Sequence, residues 1–254
     1  MKDFKVPALE KGLDVLETLS HSAAPMSIAD LCRTLGRSTS ELYRVVGFLE
    51  ERGYIAKDPH TGNFRLTLKL FELAHLHSPV DRLLRAATIP MRELADELRQ
   101  SCHLSVLRRT ELLVLHQEES PLKYRLSVEV GGRFDALGTA SGRLLTAYLP
   151  QEEREWLMER HAGYREMTEA EKALLLGKLE QVKAAGYSFA DSESHTGVRD
   201  YAVLIGNPQS GFTAALAVPW LTVPGGEVPE RELLAKLRER ANGITRALGM
   251  TPAI

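Results

Sequence analysis

Two short helix signatures stand almost back to back near the start of the chain, and they constrain its fold more than any other feature. The first opens at Ser27, has Asp30 three residues on in the place of a capping-box acid, and closes at Gly36. The second opens at Ser38 with Glu41 in the same relation and stops at Gly53. Ile28, Leu31, Cys32 and Leu35 make the apolar side of the first, and Leu42, Val45, Val46 and Leu49 that of the second. Two capped helices joined by a tight glycine-containing turn form a helix-turn-helix. Residues 54–57 and 63–66 then read as strands about the turn-forming run Asp58-Pro59-His60-Thr61-Gly62, so a β-hairpin wing is expected. A helix over residues 7–20, with Leu9, Leu13, Leu16 and Leu19 on one stripe, precedes the pair. A strongly apolar helix over 66–77 follows the wing, and so short an apolar helix needs a partner surface, a second subunit in the first instance.

Beyond residue 79 the pattern changes to strands mixed with longer helices. Residues 80–100 read as a helix bent or restarted at Pro90, and 104–107 with 112–116 as a hairpin. Residues 123–130 alternate strictly, Tyr124, Leu126, Val128 and Val130 against Lys123, Arg125, Ser127 and Glu129, which predicts a half-buried strand. Helices are expected from Thr139-Ala140-Ser141-Gly142 onward, over 150–161, and over 168–185 with a Thr168/Glu171 capping box and Gly186 as terminator. A strand at 187–191, two strands at 202–205 and 212–218, and a closing helix at 229–248 complete an α+β, sensor-like domain with an antiparallel sheet. Residues 201–226 carry no charge, a length that could span a bilayer, but the glycines and prolines among them mark buried strands and a turn instead. The division expected is a winged helix over 1–66, a linker helix over 67–79 and a second domain over 80–254.

Composition narrows the function classes. Of 254 residues, 44% are hydrophobic and 26% charged, as in an ordinary globular chain, so a disordered or collagenous chain is excluded. The net charge is −2, and residues 1–77 hold ten basic and ten acidic side chains. Affinity for nucleic acid must therefore come from placement and from paired subunits rather than from bulk charge. Cys32 and Cys102 alone offer neither a disulfide framework nor a Cys-rich zinc site, and with no apolar leader visible the expectation is a reduced, cytoplasmic protein. Gly131-Gly132 lacks the Lys-Ser/Thr of a phosphate-binding loop and no nucleophile elbow occurs, so neither an enzyme nor a cofactor is expected. His75 and His77 face different sides of a helix, His103, His116 and His195 lack zinc-site spacing, and Asp191 with Glu193 are ordinary loop acids.

The second capped helix is the candidate recognition element. Its inward stripe leaves Ser40, Glu41, Tyr43, Arg44 and Gly47 outward, where a recognition helix meets base edges in the major groove. Arg44 can take a guanine bidentately, and Ser40 or Glu41 can bond to base edges. Ser38 and Thr39 at the helix start suit a phosphate oxygen, with Arg33, Arg37, Lys57 and Arg65 as flanking backbone contacts. The plainer reading of these residues is a solvated polar face, and the complete helix–turn–helix–wing order weighs against it.

Taken in order, Ala8-Leu9-Glu10-Lys11-Gly12-Leu13-Asp14-Val15-Leu16, Leu42-Tyr43-Arg44, Leu49-Glu50-Glu51-Arg52-Gly53-Tyr54, Phe64-Arg65-Leu66, Ala140-Ser141-Gly142-Arg143-Leu144-Leu145, Gly186-Tyr187 and Gly197-Val198-Arg199 make the chain resemble the IclR family of bacterial transcriptional regulators almost end to end. The resemblance implies a winged-helix domain that binds operator DNA, a dimerising linker helix, dimers that pair into tetramers, and an effector domain related to GAF and PAS sensors. It also implies an effector site at the start of the helix holding Thr139, Ala140, Ser141 and Gly142, where backbone N–H groups bind anions. The late-strand positions that are polar in relatives sensing small carboxylates match Ala190, Asp200, Ala217 and Pro219 here, three of which have no side-chain hydrogen bond to offer.

Strand alternation adds to this. If Asp200 faces the site so does Ala202, with Ala215, Ala217 and Pro219 on the facing strand, while Tyr201, Val203, Leu216 and Val218 point to the other side. Alanines leave volume, which favours an effector larger and more apolar than glyoxylate or pyruvate, such as an aromatic acid or phenol. Asp200 either accepts from its hydroxyl or amine or pairs with a base such as Arg133. The expected function is a repressor of a catabolic operon, controlled by that effector; the alternative is a sensor or enzyme whose winged helix mediates protein contacts.

Overall fold

The computed structural model describes residues 6–76, 79–193, 195–221 and 228–253. The chain forms two units, Met1–Ser78 and Pro79–Ile254.

In the first unit, α1 (Pro7–His21), α2 (Ile28–Leu35) and α3 (Thr39–Glu51) are followed by the hairpin β1 (Ile55–Lys57) and β2 (Phe64–Leu66), then α4 (Lys69–Leu76). The capping signals act as the sequence requires. Ser27 Oγ accepts from the Asp30 amide while the Ser27 amide donates to the Asp30 carboxylate, and Gly36 ends α2 in the left-handed conformation, φ 62°. At α3 the Ser38 amide donates to Glu41 Oε2 at 3.0 Å. A one-residue bridge ties the wing to the turn before α2, where Met26 and Phe64 exchange both backbone hydrogen bonds. Leu31, Leu42, Val46, Leu49, Ile55 and Phe64 make the core with Val15 and Leu19 of α1. The leucine stripe of α1 is largely not the core face: Leu9 and Leu13 stay 59% and 49% exposed, and α1 buries Gly12, Val15 and Leu19 instead. His77 and Ser78 at the end of the expected linker helix lie outside the described residues.

The second unit is a six-stranded antiparallel sheet with helices on both faces. Its helices are α5 (Pro79–Leu98), α6 (Ala140–Tyr148), α7 (Gln151–Arg160), α8 (Ala162–Glu166), α9 (Glu169–Ala185) and α10 (Glu230–Ala247). The strands β3 (Cys102–Arg108), β4 (Glu111–Glu118), β5 (Arg133–Asp135), β6 (Ser188–Asp191), β7 (Val198–Asn207) and β8 (Phe212–Leu221) run in the spatial order β5-β4-β3-β8-β7-β6. The uncharged stretch forms most of β7 and β8; residues 222–227 at its end lie outside the described ones. Among the described residues no helix is long and apolar enough to cross a membrane.

Period-two alternation divides β7 and β8 between two cores. Tyr201, Val203, Leu216, Val218 and Trp220 pack on one face with α5 and α10. Ala202, Leu204, Ala215 and Ala217 pack on the other with α6 and α9. Helix α5 does not restart at Pro90: it is one helix over Pro79–Leu98, and the buried residues Leu83, Ala87, Met91 and Leu94 continue one inward stripe across the proline. One expectation fails locally. Residues 123–130 are not a strand. Side chains rather than a ladder satisfy this segment: Gln117 accepts from the Val128 amide and donates to Ser127 Oγ, and Ser101 Oγ donates to the Leu126 carbonyl at 2.6 Å.

Candidate functional site

On the first unit, α3 presents Ser40, Tyr43, Arg44 and Gly47 to solvent, with Tyr43 72% exposed. Arg44 makes no ion pair among the described residues, so its five donors are available. Lys57 and Arg65 are exposed on the wing. Three sequence candidates are otherwise engaged. The Glu41 carboxylate closes the capping box and lies 3.1 Å from Lys11 Nζ, and the Ser38 amide above all holds its pKa down at about 2. Arg37 is half-buried, 3.0 Å from Asp14 and 3.9 Å from Glu10, and Arg33 pairs with Asp30. Glu41 and Arg37 thus hold the element in shape, and Ser38 Oγ donates to Glu41 at 2.9 Å and lies 3.1 Å from Ser40 Oγ. Ser40, Tyr43 and Arg44 are the exposed side chains on the outer face that make no ion pair among the described residues. Thr39 is exposed at the first turn beside Ser38.

A second feature of this unit was not legible in the sequence as such. Leu9, Leu13, Phe48, Leu70 and Leu73 line an open apolar groove of about 680 Å³ along α1, α3 and α4. A monomer seldom exposes so continuous an apolar surface.

On the second unit the site is built upward from one turn. Asp135 Oδ1 accepts the amides of Leu137 and Gly138 at 2.7 and 2.6 Å and lies 3.2 Å from His161 Nε2. This folds the chain back so that Thr139 caps α6, its Oγ1 donating to the Asp135 carbonyl and accepting from the Gly142 amide at 3.1 Å. The Arg143 amide bonds to the Thr139 carbonyl. The amides of Ala140 and Ser141, at the very start of the helix, have no intrahelical partner and carry the positive end of its dipole. Gly142 must be glycine for contact reasons: a Cβ there would stand 2.2 Å from the Ala136 carbonyl oxygen. Arg143, 4% exposed, anchors the other side, 2.8 Å from Glu193 on the loop after β6.

In front of this helix start lies a cavity of about 210 Å³. Thr139, Ala140 and Ser141 form one wall; Leu112, Leu126, Val128, Phe134, Val198 and Pro219 form the apolar remainder, with His103, Ser127, His195 and Asp200 as the polar members. Of the effector residues read from sequence, Thr139, Ala140, Ser141, Asp200 and Pro219 line it. Gly142, Ala190, Ala202, Ala215 and Ala217 do not: the four alanines are at most 3% exposed in the core beneath α6. Their small size lets the helix approach the sheet rather than leaving volume. The cavity sits further along, where Asp200 and Pro219 pair across β7 and β8. Arg133 lies 3.9 Å from Glu111.

Pattern reading left His103, Leu112, Leu126 to Val128, Phe134, His195 and Val198 out of the cavity. His103 and His195 do line it together, while His116 bonds to Glu118 at 3.0 Å. Asp191 pairs with Arg199, and Glu193 with Arg143 and Lys178. No group of three His, Cys, Asp or Glu side chains among the described residues could hold a metal ion.

A winged helix-turn-helix in one unit and a cavity-bearing α+β unit with a curled antiparallel sheet in the other define a two-domain, DNA-binding transcriptional regulator. The chain belongs to the IclR family: residues 8–59 match the IclR helix-turn-helix domain, and residues 78–246 match the bacterial transcriptional regulator IclR C-terminal domain. It is 28% identical over 246 residues to the HTH-type transcriptional regulator XynR of Escherichia coli, covering 96% of this chain and 98% of that one. Identity to KdgR of the same organism is 29% over 248 residues, covering 96% and 93%. Among solved structures, an IclR homologue from Microbacterium hydrocarbonoxydans in complex with 4-hydroxybenzoate superimposes with a TM-score of 0.76 at 26% identity, covering 95% of this chain and 99% of that one.

Proposed function

We propose that this regulator is a cytoplasmic, non-enzymatic repressor that binds operator DNA as a homodimer, or a dimer of dimers, and is controlled by an organic acid with an apolar, aromatic body. The observation that carries the effector assignment is the cavity before α6. Its helix start offers unpaired amides to a carboxylate, and its walls offer apolar surface to a ring. At about 210 Å³ it lies below the ~300 Å³ at which pockets for drug-sized ligands begin, which suits a single-ring molecule. The relative bound to 4-hydroxybenzoate supports the same class of ligand.

On DNA, Arg44 with Ser40 and Tyr43 reads base edges in the major groove, Ser38 and Thr39 hold a phosphate, and Lys57 and Arg65 on the wing contact the backbone. Arg33 and Arg37 contribute charge nearby while keeping their ion pairs. The apolar groove of α1, α3 and α4 takes the corresponding face of a second copy, and α4 acts as linker between the domains. The effector switches affinity only if it binds the DNA-competent arrangement of the dimer and the alternative arrangement unequally.

Fluorescence anisotropy with DNA from upstream of the regulator's own gene, run beside an unrelated duplex and across salt concentrations, tests this reading. Selective binding that weakens with salt, and loses its selectivity in Arg44→Ala, is the expected result. Failure to bind that DNA and to enrich any sequence from a random pool would refute it in favour of a sensor whose winged helix contacts protein.

A further inference from the structure

Of the described residues lining the effector cavity, His103 alone carries a fully buried side-chain polar atom with no hydrogen-bond partner, its Nδ1. The residue sits on β3 in register with Ala217 of β8, on the sheet face that bears α6, and is 8% exposed. The other polar members have partners or solvent. Thr139 Oγ1 both donates and accepts, Ser127 Oγ accepts from Gln117 at 2.9 Å, and His195 is exposed. Nδ1 has almost no exposed surface and is turned away from the cavity; Nε2, which bonds to no described residue either, is the ring nitrogen with accessible surface, and no protein partner fixes which of the two carries the proton.

The chemistry of the ring narrows what can bond to Nε2. Burial alone lowers the His103 pKa to about 4, so the imidazole is neutral at neutral pH, with one N–H donor and one acceptor lone pair. It has no charge to offer a carboxylate. A hydroxyl can donate to the lone pair or accept from the N–H, so it satisfies either tautomer. Building on the aromatic-acid reading above, we propose that His103 is a specificity-determining residue of the effector site: the carboxylate docks at the start of α6, and a ring hydroxyl of the same molecule hydrogen-bonds to His103. The effector class is then hydroxylated aromatic acids, discriminated from acids that lack the hydroxyl.

Isothermal titration of the full-length protein with benzoate and with 2-, 3- and 4-hydroxybenzoate tests this, in wild type, His103→Leu and Asp200→Asn. In wild type at least one hydroxybenzoate binds roughly tenfold to hundredfold more tightly than benzoate, as expected when a site built for a hydroxyl is left unpaired. In His103→Leu that ratio falls to about one while benzoate affinity is kept; a purely structural role would weaken both ligands alike. A ratio that survives His103→Leu, or that collapses only in Asp200→Asn, overturns the assignment but leaves the site standing. Binding of none of the four acids overturns the aromatic-acid reading and the His103 assignment with it. Should the leucine variant not fold, 15N resonances of the wild-type His103 ring decide: they shift with the preferred hydroxybenzoate and not with benzoate, and equal shifts overturn the proposal.

Discussion

Replacing Gly142 by alanine is the sharpest single perturbation of the effector site. Glycine inside a helix is ordinarily about 1 kcal/mol worse than alanine, so on propensity alone the change would stabilise. The structure reverses that sign. The new Cβ would lie 2.2 Å from the Ala136 oxygen and 2.7 Å from its carbonyl carbon and Cα, all rigid backbone atoms fixed by the Asp135 turn. Either α6 or the turn must retreat by roughly an ångström, which places the cost with overpacked cores, about 1–3 kcal/mol. For a domain of this size each kcal/mol lowers the melting temperature by roughly 2–4 °C, so scanning calorimetry will show the effector domain melting lower by several degrees. The same shift misplaces the Ala140 and Ser141 amides, and sites tolerate only about 0.5 Å of such error. Affinity for an aromatic carboxylate, read by titration, therefore falls at least tenfold while DNA binding without effector persists. A variant that melts at or above the wild-type temperature and keeps its ligand affinity would refute this account of the helix start.

Three further outcomes follow from the same structure. Because burial lowers the folded-state pKa of His103 to about 4, against ~6.5 unfolded, the unfolded chain binds a proton between those values that the folded chain refuses; stability is full above about pH 6.5 and drops as pH falls toward 4, by on the order of 3 kcal/mol. Melting curves against pH should show that acid limb flattened in His103→Leu, and superimposable limbs would contradict it. Cys102 is buried, donates to the Met91 carbonyl, and has its pKa pushed up to about 12, chiefly by burial, whereas Cys32 is half-exposed. A thiol reagent should therefore titrate one cysteine in the native protein and two after unfolding. Leu13→Glu, placed in the apolar groove and 49% exposed, should leave the winged helix folded by circular dichroism yet lower operator affinity roughly tenfold or more, as charging the centre of an interface does. Unchanged affinity would move the dimer contact elsewhere.

What the sequence made legible was what local chemistry decides. Capping boxes at Ser27, Ser38 and Thr168 and the glycine stops at Gly36 and Gly186 are contacts within one turn, so helices appear where those residues stand. Alternation in β7 and β8 likewise assigns each side chain to a face without reference to anything distant. It could not say what covers that face. The α1 leucines share a stripe, but whether core or groove meets it depends on where α3 and α4 lie. Of the apolar positions in residues 123–130 only Leu126 and Val128 reach a cavity while Tyr124 and Val130 stay exposed, and a side-chain scaffold from Ser101 and Gln117 replaces a strand partner there. Strand β5 has three exposed residues and α8 only five, too short for any period to register. The cavity itself depends on His103, distant in sequence from Ser141 and Pro219, and only packing brings them together.

The two-faced sheet also bears on how such a regulator can change its ligand. Along residues 201–205 of β7 and 214–218 of β8, each residue that looks toward α6 alternates with one in the α5–α10 core, so the two cores draw on different side chains. The wide side chains Tyr201, Leu216 and Trp220 hold the sheet from behind, and the recognition surface is free to drift one residue at a time. A descendant could exchange Pro219 or Asp200 for something that contacts a new effector while inheriting its foldedness whole. Inheritance of shape and invention of specificity run on opposite sides of the same strands.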